Sequence, residues 1–546
     1  MTRRSDPSAA TAHRDTFARD HLPPPGLWPV IEFTLPELAY PPRLNCAVEL
    51  LDRTAAAGPD RTAIVHPEGR WSYAELLAHA NRIARVLVED AGLVPGNRVL
   101  LRAPNNPMLV ACWFAVLKAG GIVVCTMPLL RPREIAYVLD RAQVGLALTD
   151  ARVSDDLREA ANVAAAAPRV LEFGSPDAPA ELETLMRYKP DTFDAVDTAA
   201  EDIAIIAFTS GTTGHAKGTM HNHRDLLAVA DTFSRHVLRP EPDDLFCGSP
   251  PLAFTFGLGG LVLFPMRIGA STLLLEQASP PLLLEGVRSF GATISFTAPT
   301  AYRAMTAEAA KGGVGRLRKC VSAGETLPAA TFEAWERATG IRIIDGIGST
   351  EMLHIFISAA DADIRPGSTG RTVPGFRACI LDEAGREAPR GTIGRLAVRG
   401  PTGCRYLDDP ERQRGYVHDG WNLTGDAYVQ DQDGYFWYQA RTDDMIISGG
   451  YNIAGPEVEN VLLEHDYVKE CGVIGVPDLE RGSVVTAVVV LRAGVAADEE
   501  TVRALQDHVK AQLAPYKYPR VIRFAESLPR TATGKLQRHL LREASA

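Results

Sequence analysis

Residues 208–218 read Phe208-Thr-Ser-Gly-Thr-Thr-Gly-His-Ala-Lys-Gly218, directly after a predicted apolar strand at 204–208 and shortly before a predicted helix that begins near His223. Glycines let backbone amides turn toward an anion, and hydroxyls and a lysine add donors and positive charge. These residues are Thr209, Ser210, Gly211, Thr212, Thr213, Gly214 and Lys217. No glycine directly precedes Lys217 and no Ser or Thr follows it, so this is not the usual mononucleotide loop. The stretch predicts a polyphosphate loop of another nucleotide chemistry, although a flexible linker has a similar composition.

On both sides of this loop, short apolar strands alternate with amphipathic helices. Predicted helices and strands lie at 73–88, 98–101, 107–119 and 122–125 before the loop, and at 281–289 and 293–296 after it. Such alternation over several hundred residues indicates an α/β fold with largely parallel sheets.

Toward the carboxyl end the pattern changes twice. From about Gly391, short strands and turns predict a small β-barrel-like subdomain, and after Arg441 a compact α+β segment begins. We therefore predict an N-terminal domain over residues 1–442, with two parallel-rich α/β subdomains and the β-barrel-like one. A small mobile α+β domain is predicted over residues 443–546. Residues 1–25 are mostly polar or small and predict a flexible tail.

Composition excludes several classes of protein. The net charge of −10 and the lack of clustered Lys and Arg argue against a nucleic-acid binder. The most apolar stretch, 252–266, is shorter than the roughly 20 residues that a membrane span needs, and no signal-peptide core precedes it. We therefore expect a cytoplasmic protein without a membrane span. The eight cysteines form no Cys-x-x-Cys pair, which indicates reduced core thiols rather than a zinc site or disulfides.

Three further segments carry candidate chemistry. Asp345-Gly-Ile-Gly-Ser-Thr-Glu351 follows a predicted strand at 341–344, and open α/β sheets bind ligands at such carboxyl ends. Trp421-Asn-Leu-Thr-Gly-Asp426 places a carboxylate after a glycine turn, and the planar fork of Arg441 suits ribose or phosphate oxygens. Leu528-Pro-Arg-Thr-Ala-Thr-Gly-Lys535 ends on a lysine. Each of these side chains, taken singly, also fits an ordinary solvated surface position.

Taken in order, these segments resemble the motifs of the adenylate-forming superfamily, which includes acyl-CoA synthetases, luciferases and carrier-protein adenylation domains. The resemblance covers roughly residues 45–540. It implies an acid–thiol ligase that uses ATP and Mg²⁺ to convert a small carboxylic acid into its acyl-adenylate. The acyl group then passes to coenzyme A, and AMP and pyrophosphate are released. The oligomeric state stays open, with a homodimer as one alternative.

The resemblance also implies a role for each matching residue. Beside the loop residues Thr209 to Gly214, the residues expected to bind the nucleotide are Ala323, Gly324, Glu325, Asp345, Gly346, Asp426 and Arg441. Thr350 and Glu351 are expected to hold phosphate oxygens and Mg²⁺, with Lys217 and Lys535 as the catalytic lysines. Asp443 is expected to be the hinge about which the C-terminal domain rotates. The loop of Ser448, Gly449, Gly450 and Tyr451 is expected to line the CoA tunnel.

The acid pocket is predicted from residues 250–260 together with Gly348 and His354. Its candidate residues in that segment are Phe254, Thr255, Phe256 and Gly257. The wording of these segments resembles benzoate- and 2-aminobenzoate-CoA ligases, which implies an aryl or cyclic acid. The two phenylalanines fit ring stacking and core packing alike. The glycines also leave room for a bulky polycyclic acid, so the ring size stays open.

Three positions depart from the wider family. Ala216 stands where a proline usually precedes the loop lysine, Ala440 replaces a glycine before Arg441, and Ile447 occupies a place often held by lysine. Loss of the proline loosens the loop, because proline fixes the local turn. Two alternatives to the ligase follow: an adenylation-impaired enzyme that makes thioesters from an acyl-adenylate supplied by another enzyme, and an adenylating enzyme that loads a carrier protein.

Overall fold

The structure, a computed structural model, describes residues 11–174, 179–209, 216–448, 451–478, 482–513, 517–531 and 535–545. Within these ranges, the side chains of residues 443, 447, 451, 452 and 482 are not described. The α/β class that the sequence predicts is confirmed, because both large sheets are mainly parallel.

The first large sheet has six strands and carries the strands on either side of the phosphate loop at one edge. In spatial order these are Arg169–Phe173, Leu146–Asp150, Arg98–Arg102, Ile122–Thr126, Ile203–Thr209 and Lys217–Asn222. All neighbours run parallel except the last two, which are antiparallel. The helices of this part are Tyr73–Arg85, Pro107–Lys118, Pro132–Arg141, Asp155–Val163, Glu181–Met186 and His223–Val229. Local sequence sets their starts, as where Ser72 and Glu75 form a capping box before Tyr73.

The second large sheet has nine strands. In spatial order they are Arg371–Thr372, Ile355–Ser358, Ile343–Gly348, Lys319–Ser322, Ile294–Thr297, Leu245–Gly248, Ser271–Leu273, Thr62–His66 and Gly69–Ser72. The helices of this part are Arg53–Ala57, Thr255–Leu258, Phe264–Ile268, Pro280–Phe290, Pro299–Gly312 and Ala329–Thr339. π-helical stretches occur at Val48–Asp52, Val86–Asp90, Ala230–Leu238 and Gly259–Leu263. One buried apolar cluster includes residues of both large sheets, such as Val99 and Phe246.

The β-rich part predicted from Gly391 onward is a five-stranded antiparallel sheet. Its strands are Arg377–Leu381, Ile393–Arg399, Trp421–Gln430, Val417–His418 and Phe436–Arg441. The helix Pro410–Tyr416 precedes the short fourth strand.

The C-terminal part has hydrophobic clusters of its own, built only from residues beyond Asp444. Its strands are Ile446–Ser448, Tyr451–Ile453, Val468–Asp478, Gly482–Leu491 and Val521–Phe524, and its helices are Gly455–Glu464, Glu499–Gln512 and Arg538–Glu543. The last helix is tied back to the start of this part, because Arg542 Nη2 donates to Asp444 Oδ1 at 2.5 Å.

Residues 11–25, which belong to the predicted flexible tail, make hydrogen bonds to distant parts of the chain. Asp15 accepts hydrogen bonds from Arg98 and from Asn97 Nδ2, the latter at 2.8 Å, and Thr11 donates to Asp202. The segment then crosses to the small β-sheet, where Val30 N donates to the Gly420 carbonyl oxygen at 2.9 Å. We call residues 11–32 the N-terminal strap. Composition misses it because its contacts are polar and far apart in sequence.

None of the helices in the described ranges combines the length and apolar character needed to cross a bilayer.

Candidate active site

The phosphate segment is held by a pair of antiparallel strands. Thr209 ends one strand and pairs with Lys217, which begins the next. The sequence predicts a helix beginning near His223 and no strand between it and the loop. In the structure the helix begins at His223 as expected, and the strand Lys217–Asn222 precedes it. Ser210, Gly211, Thr212, Thr213 and Gly214 lie outside the described residues.

Lys217 is half-buried in a positively charged surrounding. Burial lowers the pKa of its ammonium group, the positive charges of Arg412 and Arg441 lower it further, and the nearby Glu351 carboxylate opposes them. Several cations around one carboxylate suit a ligand with more than one negative charge, such as a polyphosphate.

The turn with Thr350 and Glu351 is held from two sides. His221 Nε2 lies 2.7 Å from the Thr350 carbonyl oxygen, which only accepts, so this nitrogen carries the proton. The hydroxyl of Tyr406 donates to Glu351 Oε1 at 2.7 Å. Both His221 and Tyr406 are buried. In the described part of the chain, no cluster of three or more His, Cys, Asp or Glu residues could hold a metal on its own.

Several residues predicted to bind the nucleotide lie near the carboxyl ends of two neighbouring parallel strands, where Ser322 pairs with Asp345. They are Ala323, Gly324, Glu325, Asp345 and Gly346. Ala323 is buried and Gly324 has a φ of +89°, a conformation that favours glycine. Burial raises the pKa of the Asp345 carboxyl to about 7, and its Oδ1 atom has no hydrogen-bond partner. Gly346 lies so close to Ile355 that a methyl group there would be 2.7 Å from its Cγ2.

Asp426 and Arg441 are directly opposite each other on adjacent strands. Arg441 Nη1 donates to Asp426 Oδ1 at 3.0 Å and to the Thr424 carbonyl oxygen at 3.2 Å. Burial raises the pKa of the Asp426 carboxyl, and the positive charge of Arg441 opposes that rise.

Lys535 lies close to Gly324, which follows the strand Lys319–Ser322. A methyl group on Gly324 would be 3.9 Å from its Cε atom. Its charge also acts on Asp426 and on Glu325, whose pKa is raised by burial and lowered by Thr300, Arg530 and Lys535. The structure thus brings a lysine from the end of the chain to the residues predicted for the nucleotide.

The hinge and tunnel positions follow the small β-sheet. Asp443 lies in a 3-10 turn, Thr442–Asp444, between the strands Phe436–Arg441 and Ile446–Ser448. Ser448 is buried and pairs with Tyr451 on the neighbouring antiparallel strand. Gly449 and Gly450, and the side chains of Asp443 and Tyr451, lie outside the described residues.

The predicted acid pocket gathers around His354, which is 3% exposed. Its ring centroid lies 4.6 Å from that of Phe264, 5.5 Å from Phe233 and 5.7 Å from Phe256. Neither ring nitrogen has a hydrogen-bond partner, and burial lowers the pKa of His354 to about 3. A methyl group on Gly348 would lie 2.7 Å from the His354 carbonyl oxygen. A neutral imidazole in an aromatic surrounding can exchange one hydrogen bond with a ligand.

The other predicted pocket residues lie in the short helix Thr255–Leu258 or directly before it. Phe254 precedes it and is half-buried, whereas Thr255 is buried. Phe256 is half-buried and packs on Phe296, with ring centroids 5.6 Å apart. A methyl group on Gly257 would lie 2.2 Å from the Pro251 carbonyl oxygen, so this glycine allows a tight turn rather than an open cavity.

The sequence analysis missed the residues that hold the predicted ones. These are His221 and Tyr406 at the phosphate side and Phe233, Phe264 and Phe296 at the acid pocket. His221 carried a usable signal, because it lies only four residues beyond Lys217. Among the departures, Ala440 is fully buried in a strand, Ala216 lines a small pocket with Lys217 and Tyr406, and the Ile447 side chain is not described.

Comparison with known proteins identifies the family. Residues 51–406 match the AMP-binding enzyme family, and residues 457–535 match the AMP-binding enzyme C-terminal domain. The benzoate–CoA ligase of Thauera aromatica is 34% identical, over 94% of this chain and 98% of that protein. The 3-hydroxybenzoate–CoA ligase of Aromatoleum is 32% identical, over 92% and 97%.

Solved structures agree with this. A crystal structure of the anthranilate CoA ligase AuaEII in complex with anthranoyl-AMP has a TM-score of 0.87 and 35% identity, over 92% of this chain and 98% of that one. ATP-bound MatB from Rhodopseudomonas palustris has a TM-score of 0.84 and 32% identity, over the same shares. The resemblance stated from the motifs is confirmed, and the chain belongs to the AMP-binding enzyme family, as one of its acyl-CoA synthetases.

Proposed function

We propose that the protein joins an aryl or other cyclic carboxylic acid to coenzyme A, with ATP as the energy source and an acyl-adenylate as the intermediate. The observation that carries the proposal is the convergence of two distant lysines on one site. Lys217 faces Glu351, and Lys535 lies against Gly324 with Asp426 and Glu325 nearby.

In the first half-reaction, a carboxylate oxygen attacks the α-phosphorus of ATP and the bond to the β-phosphate oxygen breaks. The ammonium groups of Lys217 and Lys535 favour this step by stabilising charge on the phosphates as pyrophosphate departs. Glu351 offers the single hard oxygen ligand that Mg²⁺ on a nucleotide needs beside phosphate oxygens and water, and the ion would neutralise phosphate charge there. Asp426 and Arg441 suit the ribose hydroxyls.

The acid would lie beside His354. The neutral imidazole and the ring of Phe256 give a mainly aromatic surface with one hydrogen-bonding group, which favours a flat ring over a long alkyl chain. The names of the benzoate, 3-hydroxybenzoate and anthranilate ligases support the same class.

In the second half-reaction, the thiol sulfur attacks the acyl carbonyl and AMP leaves. We propose that rotation at Asp443 withdraws Lys535 and brings the loop of residues 448–451 to the site. We also expect a cytoplasmic location, since the described cysteines are all unpaired thiols, as is usual in reducing compartments.

Acid-dependent exchange of labelled pyrophosphate into ATP tests the first half-reaction, with a series of benzoates, alkanoates and polycyclic acids as substrates. Lys535→Ala should abolish exchange, while thioester formation from a supplied acyl-adenylate should remain within about threefold of the wild type. Lys469→Ala, an exposed lysine of the same domain, is the matched control and should change neither half-reaction.

Other outcomes would favour the rival functions. Thioester formation without any exchange would support an adenylation-impaired enzyme. Exchange with transfer only to a carrier-protein thiol, and none to CoA, would support an adenylating enzyme of the carrier-loading type.

A further inference from the structure

We infer that Tyr406 is a positioning residue that fixes the carboxylate of Glu351 for the cation that accompanies ATP. The inference rests on the proposed function, because it requires Glu351 to meet a cation on the triphosphate. The direct contact is the hydrogen bond from the Tyr406 hydroxyl to Glu351 Oε1 at 2.7 Å. Such a bond occupies one carboxylate oxygen and leaves the lone pairs of the other for a metal ion.

The tyrosine is itself held rigidly. Its backbone N–H donates to Gln413 Oε1 at 2.9 Å, and it forms an isolated bridge to Thr219 on the strand that begins with Lys217. Gln413 is completely buried and donates in turn to the carbonyl oxygens of Cys404 and Leu27, at 2.9 Å and 3.0 Å. A donor whose backbone is anchored in this way can hold its acceptor in one orientation.

The contact matters because Tyr406 lies beside two residues that are predicted to act on the phosphates, Lys217 and Glu351. Tyr406 is 1% exposed, and it lines the same small pocket as Lys217 and Ala216. It therefore contacts Glu351 directly and also lies beside the first catalytic lysine. Without the Tyr406 hydroxyl, the Glu351 carboxylate would be free to turn toward Lys217. It would then present a less favourable geometry to a metal ion.

The test uses Tyr406→Phe, which removes only the hydroxyl oxygen. Calorimetric titration with ATP is done once with excess Mg²⁺ and once with EDTA. A hydrogen bond to a charged group is worth roughly tenfold or more in affinity. We expect affinity for ATP with Mg²⁺ to fall about tenfold, and affinity for metal-free ATP to stay within about twofold.

Tyr40→Phe is the matched control, because the Tyr40 hydroxyl donates to a carboxylate oxygen of Asp231 over the same 2.7 Å, away from the phosphate residues. Tyr40→Phe should leave the affinities for ATP with and without Mg²⁺ within about twofold of the wild-type values. In a Glu351→Gln background, Tyr406→Phe should have little further effect on binding with Mg²⁺, because the group through which it acts has been changed.

Thioester formation from a supplied acyl-adenylate, which involves no triphosphate, establishes that Tyr406→Phe is folded and should persist. Four results would each overturn the inference. They are equal losses of ATP affinity with and without Mg²⁺, unchanged ATP affinity in both conditions, additive effects of Tyr406→Phe and Glu351→Gln, and loss of thioester formation in Tyr406→Phe. If the wild-type protein itself binds no ATP, the proposed function fails, and the inference falls with it.

Discussion

Gly259→Ala is expected to damage the acid pocket in a way that the structure allows us to quantify. Gly259 lies beneath the His354 ring, and a methyl group there would be 2.3 Å from His354 Cδ2 and 2.6 Å from Nε2. Carbon atoms rest about 3.5 Å apart without strain. The ring must therefore move by about 1.2 Å, the difference between 3.5 Å and 2.3 Å.

The residues packed around the His354 ring limit the direction in which it can move. Phe233 and Phe264 beside it are fully buried, whereas Phe256 is half-buried. We therefore expect the imidazole to shift toward Phe256, into the space proposed for the acid. Overpacking of this kind costs about 1–3 kcal/mol of folding free energy, and a 1 Å misplacement can lower rates by about a hundredfold.

The assay is acid-dependent pyrophosphate exchange with benzoate and larger ring acids, together with urea unfolding. Gly259→Ala should lower kcat/KM for the acid by about 10- to 100-fold and leave KM for ATP nearly unchanged. Gly145→Ala, where a methyl group would meet no atom within 4 Å, is the control. Adding His354→Ser should restore part of the lost stability, since it removes the clashing ring. An unchanged kcat/KM for the acid and an unchanged urea midpoint in Gly259→Ala would refute the reasoning.

Two further predictions concern stability. Burial raises the pKa of Asp345 from 3.8 to about 7, so its stabilising neutral form is fully present below the unfolded pKa and is lost as the pH rises through about 7. The unfolding free energy of the wild type, relative to Asp345→Asn, should therefore fall as the pH rises from about 4 to about 7 and change little above that, in urea titrations without nucleotide; a pH-independent difference would contradict this. Asp15→Asn removes the carboxylate that faces the buried guanidinium of Arg98 and should cost about 2 kcal/mol, since Asp15 itself is partly exposed. An unchanged urea midpoint would show that the strap adds no stability.

Sequence patterns were sufficient where the signal is local. Strand and helix periods predicted the α/β class, and the helix predicted at 281–289 corresponds to Pro280–Phe290 in the structure. The predicted helix at 107–119 likewise corresponds to Pro107–Lys118, which begins at proline after the capping residue Asn106. Apolar periodicity and capping residues act within a few positions, so a single sequence contains them.

The features that were not predicted depend on contacts between residues that are distant in the sequence. Nothing near Tyr406 in the sequence indicates that its hydroxyl meets Glu351, since the two residues are 55 positions apart and meet only in the folded chain. The strap was expected to be loose because its few polar partners, such as Arg98 and Asp202, lie far along the chain. The strand after the phosphate loop was missed because its six residues, Lys217 to Asn222, have no clear alternation of apolar and polar side chains.

The strap has a consequence for how the protein is made. Val30 bonds to Gly420, so one partner emerges from the ribosome long before the other. At about 5–20 residues per second, synthesis of the intervening chain takes tens of seconds. During that interval Trp28, which later packs on Arg405, lacks that partner. The first part of the strap can dock once Arg98 and Asp202 have been made, whereas docking of Trp28 and Val30 waits until late in synthesis.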